Sequence, residues 1–439
     1  MNIIQIVPGS GGGFYCQNCV RDVGLARQLH RMGHKVVFVP LYLPFMEMAD
    51  EAVTRAPVFY GAINVYLAQK LPLYRRLPEK FRRFMDAPSL LRWAASRAGS
   101  TQAAGLGDMT LSVLQGSSGR QQRELRQLTE WLQTQPRPDV VHLSNALLLG
   151  LAPALRAALD VPIVCSLQDE DTWLDALPEP YRTRCWDRVR DLCREVALFI
   201  PVSATYAAAA SKRLDLTEDR CRIIPPGVDI TEFTPAPNRP DRPVIGYLSE
   251  LKPTFGLDIL IEAFILLRQH RELAGLQLKI TGGELHAKNN FIESIRRRLD
   301  ESGCADAVAF EEAFRQPRRT AFLQSLSVLS VPARRPEACG LFLLEAMACG
   351  VPVCQPDLGG YPEIIAATGG GLIYRDQNPA GLAAALHPLL TDRALAARFG
   401  QAGRQAVVSN FSLERVTREM TRVYHEAAKQ RLAGDNQES

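Results

Sequence analysis

Two glutamates, Glu337 and Glu345, bracket a glycine in the segment Pro332-Ala-Arg-Arg-Pro-Glu337-Ala-Cys-Gly340-Leu-Phe-Leu-Leu-Glu345-Ala-Met-Ala-Cys-Gly350-Val-Pro352. Gly340 lets the backbone approach a ligand closely. The N–H groups of Leu341 and Phe342 follow at a predicted helix start, where they lack intrahelical acceptors and can hold an anion. Glu345 lies one turn further on and offers a carboxylate to vicinal hydroxyls. Gly350 and Pro352 end that helix. Asp357-Leu-Gly359-Gly360-Tyr-Pro362-Glu363 is a glycine loop that feeds another helix start. A sugar with a negatively charged leaving group matches this set, because carboxylates suit hydroxyls and helix N-termini suit phosphates. Either glutamate alone would read as incidental to a loop or a buried helix. The combination carries the argument.

These residues need elements to position them. Ile3 to Val7 is a short apolar strand, Pro8 to Gly13 a glycine-rich turn, and Val20 to Met32 repeats apolar residues at helical spacing. Gly33 stops that helix and Lys35 to Pro40 is a second strand, which completes a β-α-β unit. Further strands are expected at 139–143, 161–167 and 198–202, with helices around 147–159 and from Ser203. Residues 45–135 look less regular. Ile223 to Pro237 is a connection rich in proline, glycine and aspartate, so the boundary is expected near residue 236. A second series follows, with strands at 244–247, 277–281, 308–310, 328–331 and 351–354. Helices are expected at about 258–269, 291–302, 319–324, 341–349 and 362–367. The prediction is an α/β chain with two doubly wound domains, 1–235 and 236–410, then a helix at 411–430. Ligands of such folds sit at the carboxyl ends of the strands. The tail from Gln430 to Ser439 is polar and expected to fray.

Bulk properties exclude other classes. The chain has 439 residues, 46% of them hydrophobic and 22% charged, which is ordinary for a folded globular protein. A net charge of +4, from 51 basic and 47 acidic side chains, is too balanced for a nucleic-acid binder. The first residues lack a charged leader, and no apolar run approaches the length of a membrane span. A cytoplasmic protein is expected, with most of its ten cysteines acting as small buried hydrophobes.

The Glu337–Glu345 segment resembles the E-x7-E signature of retaining GT-B glycosyltransferases, family 4 in particular. Ile223-Ile-Pro-Pro-Gly-Val-Asp229 with Phe233-Thr-Pro resembles the family's interdomain element. Gly256-Leu-Asp-Ile-Leu-Ile-Glu-Ala263 resembles the helix after the donor-phosphate loop, and Gly11 to Gly13 the N-terminal glycine loop. The resemblance implies a GT-B fold, two Rossmann-like domains facing across a cleft, with the last helix packing back on the N-terminal domain. It implies transfer of a hexose from a nucleotide diphosphate sugar, without cofactor or metal. Glu337 would contact the sugar hydroxyls, the N–H groups around Leu341 and Phe342 the sugar or phosphate, and Glu345 the ribose. Gly12 and Gly13 would face the diphosphate. The leaving phosphate would accept the acceptor's proton, so catalysis would rest on positioning and on stabilising developing charge.

The chain departs from that pattern. In Gly246-Tyr-Leu-Ser-Glu250-Leu-Lys252-Pro-Thr-Phe255-Gly256, Phe255 stands where the family places Lys and Glu250 where it places Arg. A carboxylate about 4 Å from a phosphate would cost on the order of 4 kcal/mol at an effective dielectric of about 20. Lys252, Arg334 or Arg335 is expected to compensate, unless the donor differs. On the N-terminal side, Asp139-Val-Val-His142-Leu-Ser144 and Ser166-Leu-Gln168 replace histidine-bearing motifs, so Gln168 stands where a histidine faces the reacting sugar. Cys16 and Cys19 follow the glycine loop and could form a redox or metal pair, pack, or meet the acceptor together with His142. His142 also reads as a core histidine. The arginine-rich, aromatic-laced stretch 74–97 is either a solvated helical insertion or a surface for anionic membrane. The acceptor stays open: a glycan, a lipid or a small metabolite. A nucleotide-sugar epimerase and a sugar-nucleotide binder without turnover are the alternatives.

Overall fold

The computed structural model describes residues 1–9, 13–43, 54–60, 105–237, 240–283 and 289–435. Gly11, Gly12 and the stretch 74–97 lie outside them. The chain divides into two compact units. The first holds Met1–Gly13, Asn18–Pro225 and Thr417–Ser439; the second holds Phe14–Gln17 and Pro226–Val416. The division after Pro225 falls inside the proline- and glycine-rich connection, ahead of the position read from composition.

In the first unit β1 (Asn2–Val7), β2 (Lys35–Pro40), β3 (Thr54–Arg55), β4 (Val140–Leu143), β5 (Ile163–Leu167) and β6 (Leu198–Pro201) form one parallel sheet, ordered β3-β2-β1-β4-β5-β6. Strands covered on both faces read as continuous apolar runs, and β4, β5 and β6 are buried throughout. Helices α1 (Gln17–Arg31), α2 (Gly107–Leu114), α3 (Gln122–Gln133), α4 (Ala152–Leu159), α5 (Glu170–Leu174), α6 (Tyr181–Leu192) and α7 (Ala204–Leu214) accompany it. Leu125, Leu128 and Leu132 bury one stripe of α3, a helix within the stretch expected to be irregular. Ser203 caps α7 by accepting from the Tyr206 N–H.

The second unit repeats the plan. Its strands are β7 (Val244–Leu248), β8 (Gln277–Thr281), β9 (Val308–Phe310), β10 (Val328–Leu329), β11 (Val353–Pro356) and β12 (Gly371–Tyr374), parallel and ordered β12-β11-β10-β7-β8-β9. β12 was not expected, because two glycines precede its short run and mask it. α8 (Leu257–Arg268), α9 (Asn290–Glu301), α10 (Arg318–Gln324), α11 (Leu341–Ala348), α12 (Tyr361–Thr368), α13 (Pro379–Thr391) and α14 (Arg393–Asn410) flank this sheet. The last helix, α15 (Leu413–Asp435), starts in the second unit and continues as part of the first. In each sheet the strand order reverses at its centre, between β1 and β4 and between β7 and β10, which opens a crevice at the carboxyl ends of those strands. Among the described residues no helix is long and apolar enough to cross a membrane.

Candidate functional site

At the carboxyl end of β10 the chain runs through Pro332–Gly340 into α11. Gly340 has φ 57°, and a Cβ there would lie 2.7 Å from Ile364 Cδ1, so the helix starts on a residue that only glycine fills without strain. Gly359, also at positive φ, packs its Cα where a Cβ would come within 2.5 Å of the Glu337 backbone nitrogen. The Gly360 N–H donates to the Glu337 carbonyl at 2.8 Å. The Gly359-Gly360 loop thus fixes the backbone of Glu337, and Gly340 fixes the start of α11.

All eight residues of α11 are buried, Glu345 included at 1% exposure. Its charge is held by Arg319 of α10, 3% exposed, at 3.1 Å, and Glu345 Oε2 accepts from the Tyr15 hydroxyl at 2.9 Å. Burial and the neighbouring Glu345 carboxylate push the Tyr15 phenol well above its ordinary range, so it stays a donor. Tyr15 belongs to the short segment of the second unit that its N–H anchors to the Gly282 carbonyl. Two residues on, the Gln17 amide bridges the other half of the site. Its Nε2 donates to Glu337 Oε2 at 2.6 Å, and its Oε1 accepts from the Leu341 N–H at 2.8 Å.

The expected cations are all engaged elsewhere except one. Lys252 Nζ lies 2.6 Å from Glu250 Oε2. Arg334 donates to both oxygens of Asp258 on α8, at 2.7 and 2.5 Å, and to the Pro253 carbonyl. The Asp258 hydrogen bonds raise the Arg334 pKa. Arg335 is exposed and, among the described residues, has no ion-pair partner. Phe255 closes a 3-10 turn before Gly256, whose positive φ brings it against the Pro332 carbonyl.

In the first unit Gln168 follows β5 at 2% exposure. Its Nε2 donates to the Ser144 carbonyl at 2.8 Å, and its Oε1 is without a partner. Glu170 turns back to accept from the N–H groups of Gln168 and Ala146 and from the Tyr206 hydroxyl. Burial pushes its carboxyl up, against those hydrogen bonds. The buried Arg21–Asp22 pair sits beside Ser144, with Arg21 also donating to the Ser144 carbonyl.

His142 keeps its core reading and loses the acceptor one. It is fully buried, with Nε2 2.8 Å from Ser166 Oγ and Nδ1 2.9 Å from the Tyr424 hydroxyl. Burial, assisted by the Arg21 charge, drives its pKa down to about 3. It is a neutral core histidine and cannot reach an acceptor. Cys16 and Cys19 are half-buried thiols, and Gly13 is a half-buried bend.

Tyr15, Gln17, Asp258 and Arg319 were not anticipated. Tyr15 and Gln17 flank Cys16 beside the glycine loop, the one sequence signal that could have found them. Nothing local marks Arg319, which meets Glu345 only through the fold.

Residues 229–406 match the family described as Glycosyl transferases group 1, and residues 113–232 match Glycosyltransferase Family 4. A GDP-mannose-dependent alpha-(1-6)-phosphatidylinositol monomannoside mannosyltransferase of Mycolicibacterium smegmatis is 32% identical over 204 residues, which is 43% of this chain and 52% of the relative. The chain spans about half the length of the curated relatives it matches. The sucrose-phosphate synthase tll1590 from Thermosynechococcus elongatus shares the fold with a TM-score of 0.68 at 18% identity, covering 97% of this chain and 98% of that one. Anabaena Alr3699/HepE, solved in complex with UDP, gives 0.67 at 15% identity over 97% and 100%. Two parallel sheets of reversed strand order, the Glu337–Gly340–Glu345 constellation and two family matches that run through residues 113–406 converge: the chain belongs to the GT-B glycosyltransferases of the family 4 type.

Proposed function

We propose that this protein transfers a hexose from a nucleotide diphosphate sugar, with retention of the anomeric configuration, and that Glu337, the Leu341 and Phe342 N–H groups and Glu345 hold the donor. The observation that carries this reading is the single Gln17 amide that spans the Glu337 carboxylate and the Leu341 N–H, at 2.6 and 2.8 Å. An acceptor and a donor of hydrogen bonds converge there on one small spot, as a pair of sugar oxygens requires. Gly12, Gly13 and Arg335 would face the phosphates. Gln168, whose Oε1 is unpartnered, would serve the sugar or the acceptor, with Cys16 and Cys19 on the acceptor side. The mannosyltransferase likeness puts forward GDP-mannose, and the likeness to HepE, also solved with UDP-glucose, puts forward UDP-glucose, as the first donors to try. Inositol phosphates and inositol-bearing lipids are the first acceptors. Mass spectrometry of the product and NMR of its anomeric proton test the reading. An inverted product, or donor turnover into a free epimer without acceptor, would reject it.

A second reading, a sugar-nucleotide binder without turnover, is favoured by the two ion pairs that neutralise Lys252 and Arg334. Because Glu250 competes with phosphate for Lys252, Glu250→Ala is expected to tighten nucleoside diphosphate binding by about tenfold at low salt, or roughly 1.4 kcal/mol. The gain should shrink as salt screens the exposed lysine. Calorimetry with UDP and GDP measures it, and unchanged affinity would place Lys252 outside the phosphate site.

Gln17 yields a second test. If the donor sugar takes the positions of its amide, Gln17→Ala removes a competitor and should also tighten the sugar nucleotide about tenfold, while free nucleotide, which lacks the sugar, binds as before. Weaker binding of the sugar nucleotide would make Gln17 a donor contact instead. For a lipid acceptor, the stretch 74–97 is expected to bring the enzyme to anionic membrane. Flotation with vesicles should then require acidic lipid and fall with salt, and no flotation at low salt would remove the membrane role.

A further inference from the structure

We infer that His270, Glu272 and His387 form a site for one divalent transition-metal ion, of the Zn2+ class, on the second unit. The fold brings the three together from two segments. His270 caps the 3-10 turn Arg271–Leu273 and Glu272 lies within it, while His387 sits on α13. One ligand atom from each lies within 4.8 Å of the others. His387 Nε2 is 3.1 Å from Glu272 Oε1, and the two imidazole rings meet edge to face with centroids 4.9 Å apart.

The backbone under these side chains is anchored by buried neighbours. Leu273, next to Glu272, and Leu386 and Leu389, flanking His387, are buried in the core. Of the neighbouring cations, Arg268 donates to the Ala274 carbonyl at the end of the turn, and Arg271, between His270 and Glu272, is exposed. Only side-chain rotation is then needed to close the ligands from 4.8 Å to the roughly 3.3 Å edge of a tetrahedron with bonds of about 2.0–2.1 Å. Two imidazoles and a carboxylate are an N/O set suited to zinc, nickel or copper and poor for magnesium or calcium. Three protein ligands leave a fourth position for water.

The location separates this site from donor chemistry. α8 runs from the carboxyl end of β7 back across the sheet, and the turn at 271–273 then feeds the start of β8. The cluster therefore lies at the amino-terminal edge of the parallel sheet, opposite Glu337 and Lys252. The ion would clip the turn to α13 and stabilise the unit without entering the reaction. As an ion pair alone, Glu272–His387 is exposed and contributes little.

The test is calorimetry of the full chain with Zn2+ at neutral pH, paired with Co2+ absorption to report the ligand set. One equivalent is expected, with a Co2+ spectrum lacking thiolate charge-transfer bands. The ion should also raise the melting temperature, because it binds only the folded chain. His387→Ala and His270→Ala should each weaken binding at least as much as loss of an outer-shell partner does, about 10- to 100-fold. His270→Ala changes an exposed side chain and His387→Ala a half-buried one, and their melting temperatures in chelator should lie close to that of the parent. Absence of binding, binding that survives the double variant His270→Ala/His387→Ala, or binding lost in Cys16→Ser/Cys19→Ser would each overturn the assignment.

Discussion

Glu345→Ala should destabilise the second unit by about 3–5 kcal/mol, because it strands the Arg319 guanidinium in the core without its counter-charge. Taking two charges out of water costs several kcal/mol per ion, which the pair recovers through its contact and through hydrogen bonds from Tyr15 to Glu345 and from Arg319 to the Phe314 carbonyl. Removing one partner leaves the penalty and forfeits the return. Glu345→Gln keeps an acceptor and should cost less. The double variant Glu345→Leu/Arg319→Met replaces the pair with apolar volume and should recover most of the loss. Urea-dependent hydrogen exchange across residues 341–356 reads the unit directly. A Glu345→Ala change within about 1 kcal/mol of the parent, the scale of an exposed pair, would show that Arg319 finds water or another partner. The result also bears on the donor. Lost nucleotide affinity in Glu345→Ala reports a ribose contact only if α11 is still folded, and Glu345→Gln is the cleaner probe.

The second large effect is an acid limb set by His142. Its pKa is about 3 in the folded chain, lowered first by burial and then by Arg21, against about 6.5 when unfolded. Between those values the unfolded state binds the extra proton, so stability is complete above about pH 6.5 and is lost as pH falls towards 3. At about pH 4 the loss is roughly 3 kcal/mol, because each pH step below the unfolded pKa costs about 1.4 kcal/mol. Asp22 and Glu170 have raised pKa values and work in the opposite sense at acid pH. The comparison must therefore be with His142→Gln, which is expected to be less stable at neutral pH and flatter below it. Trp131, Trp173 and Trp186 belong to the first unit and the sequence of the second holds no tryptophan, so urea melts followed by intrinsic fluorescence report the unit that holds His142. Parallel acid limbs in parent and variant would assign the proton uptake to another group.

What the sequence showed depended on how local each feature is. β1 and β7 were legible because a strand covered on both faces must be apolar along its length. Glu337, Gly340 and Glu345 were legible because one loop and one helical turn bring them together. β12 was missed because its length and its leading glycines resemble a turn. α3 was missed because its stripe of Leu125, Leu128 and Leu132 alternates with polar side chains and Trp131 in an otherwise irregular stretch. The partners of the cations were missed for a different reason. Lys252 and Arg334 look available in a linear reading, and only the fold shows Glu250 and Asp258 against them. Tyr15 and Arg319 reach Glu345 from distant parts of the chain, so no spacing rule could have paired them.

Helix α15 crosses from the second unit to the first after Val416, and its later turns bring Met420, Val423, Tyr424 and Ala427 into the first unit's interior. This has a consequence for biosynthesis. A growing chain delivers residues 226–416 as an uninterrupted stretch able to settle as it emerges. The first unit, begun earlier, still lacks the tyrosine that partners His142. At about 5–20 residues per second, the ribosome takes on the order of 10–40 s to travel from Pro225 to the end of α15. Throughout that interval the older half of the protein lacks the helix that carries Tyr424 into its interior.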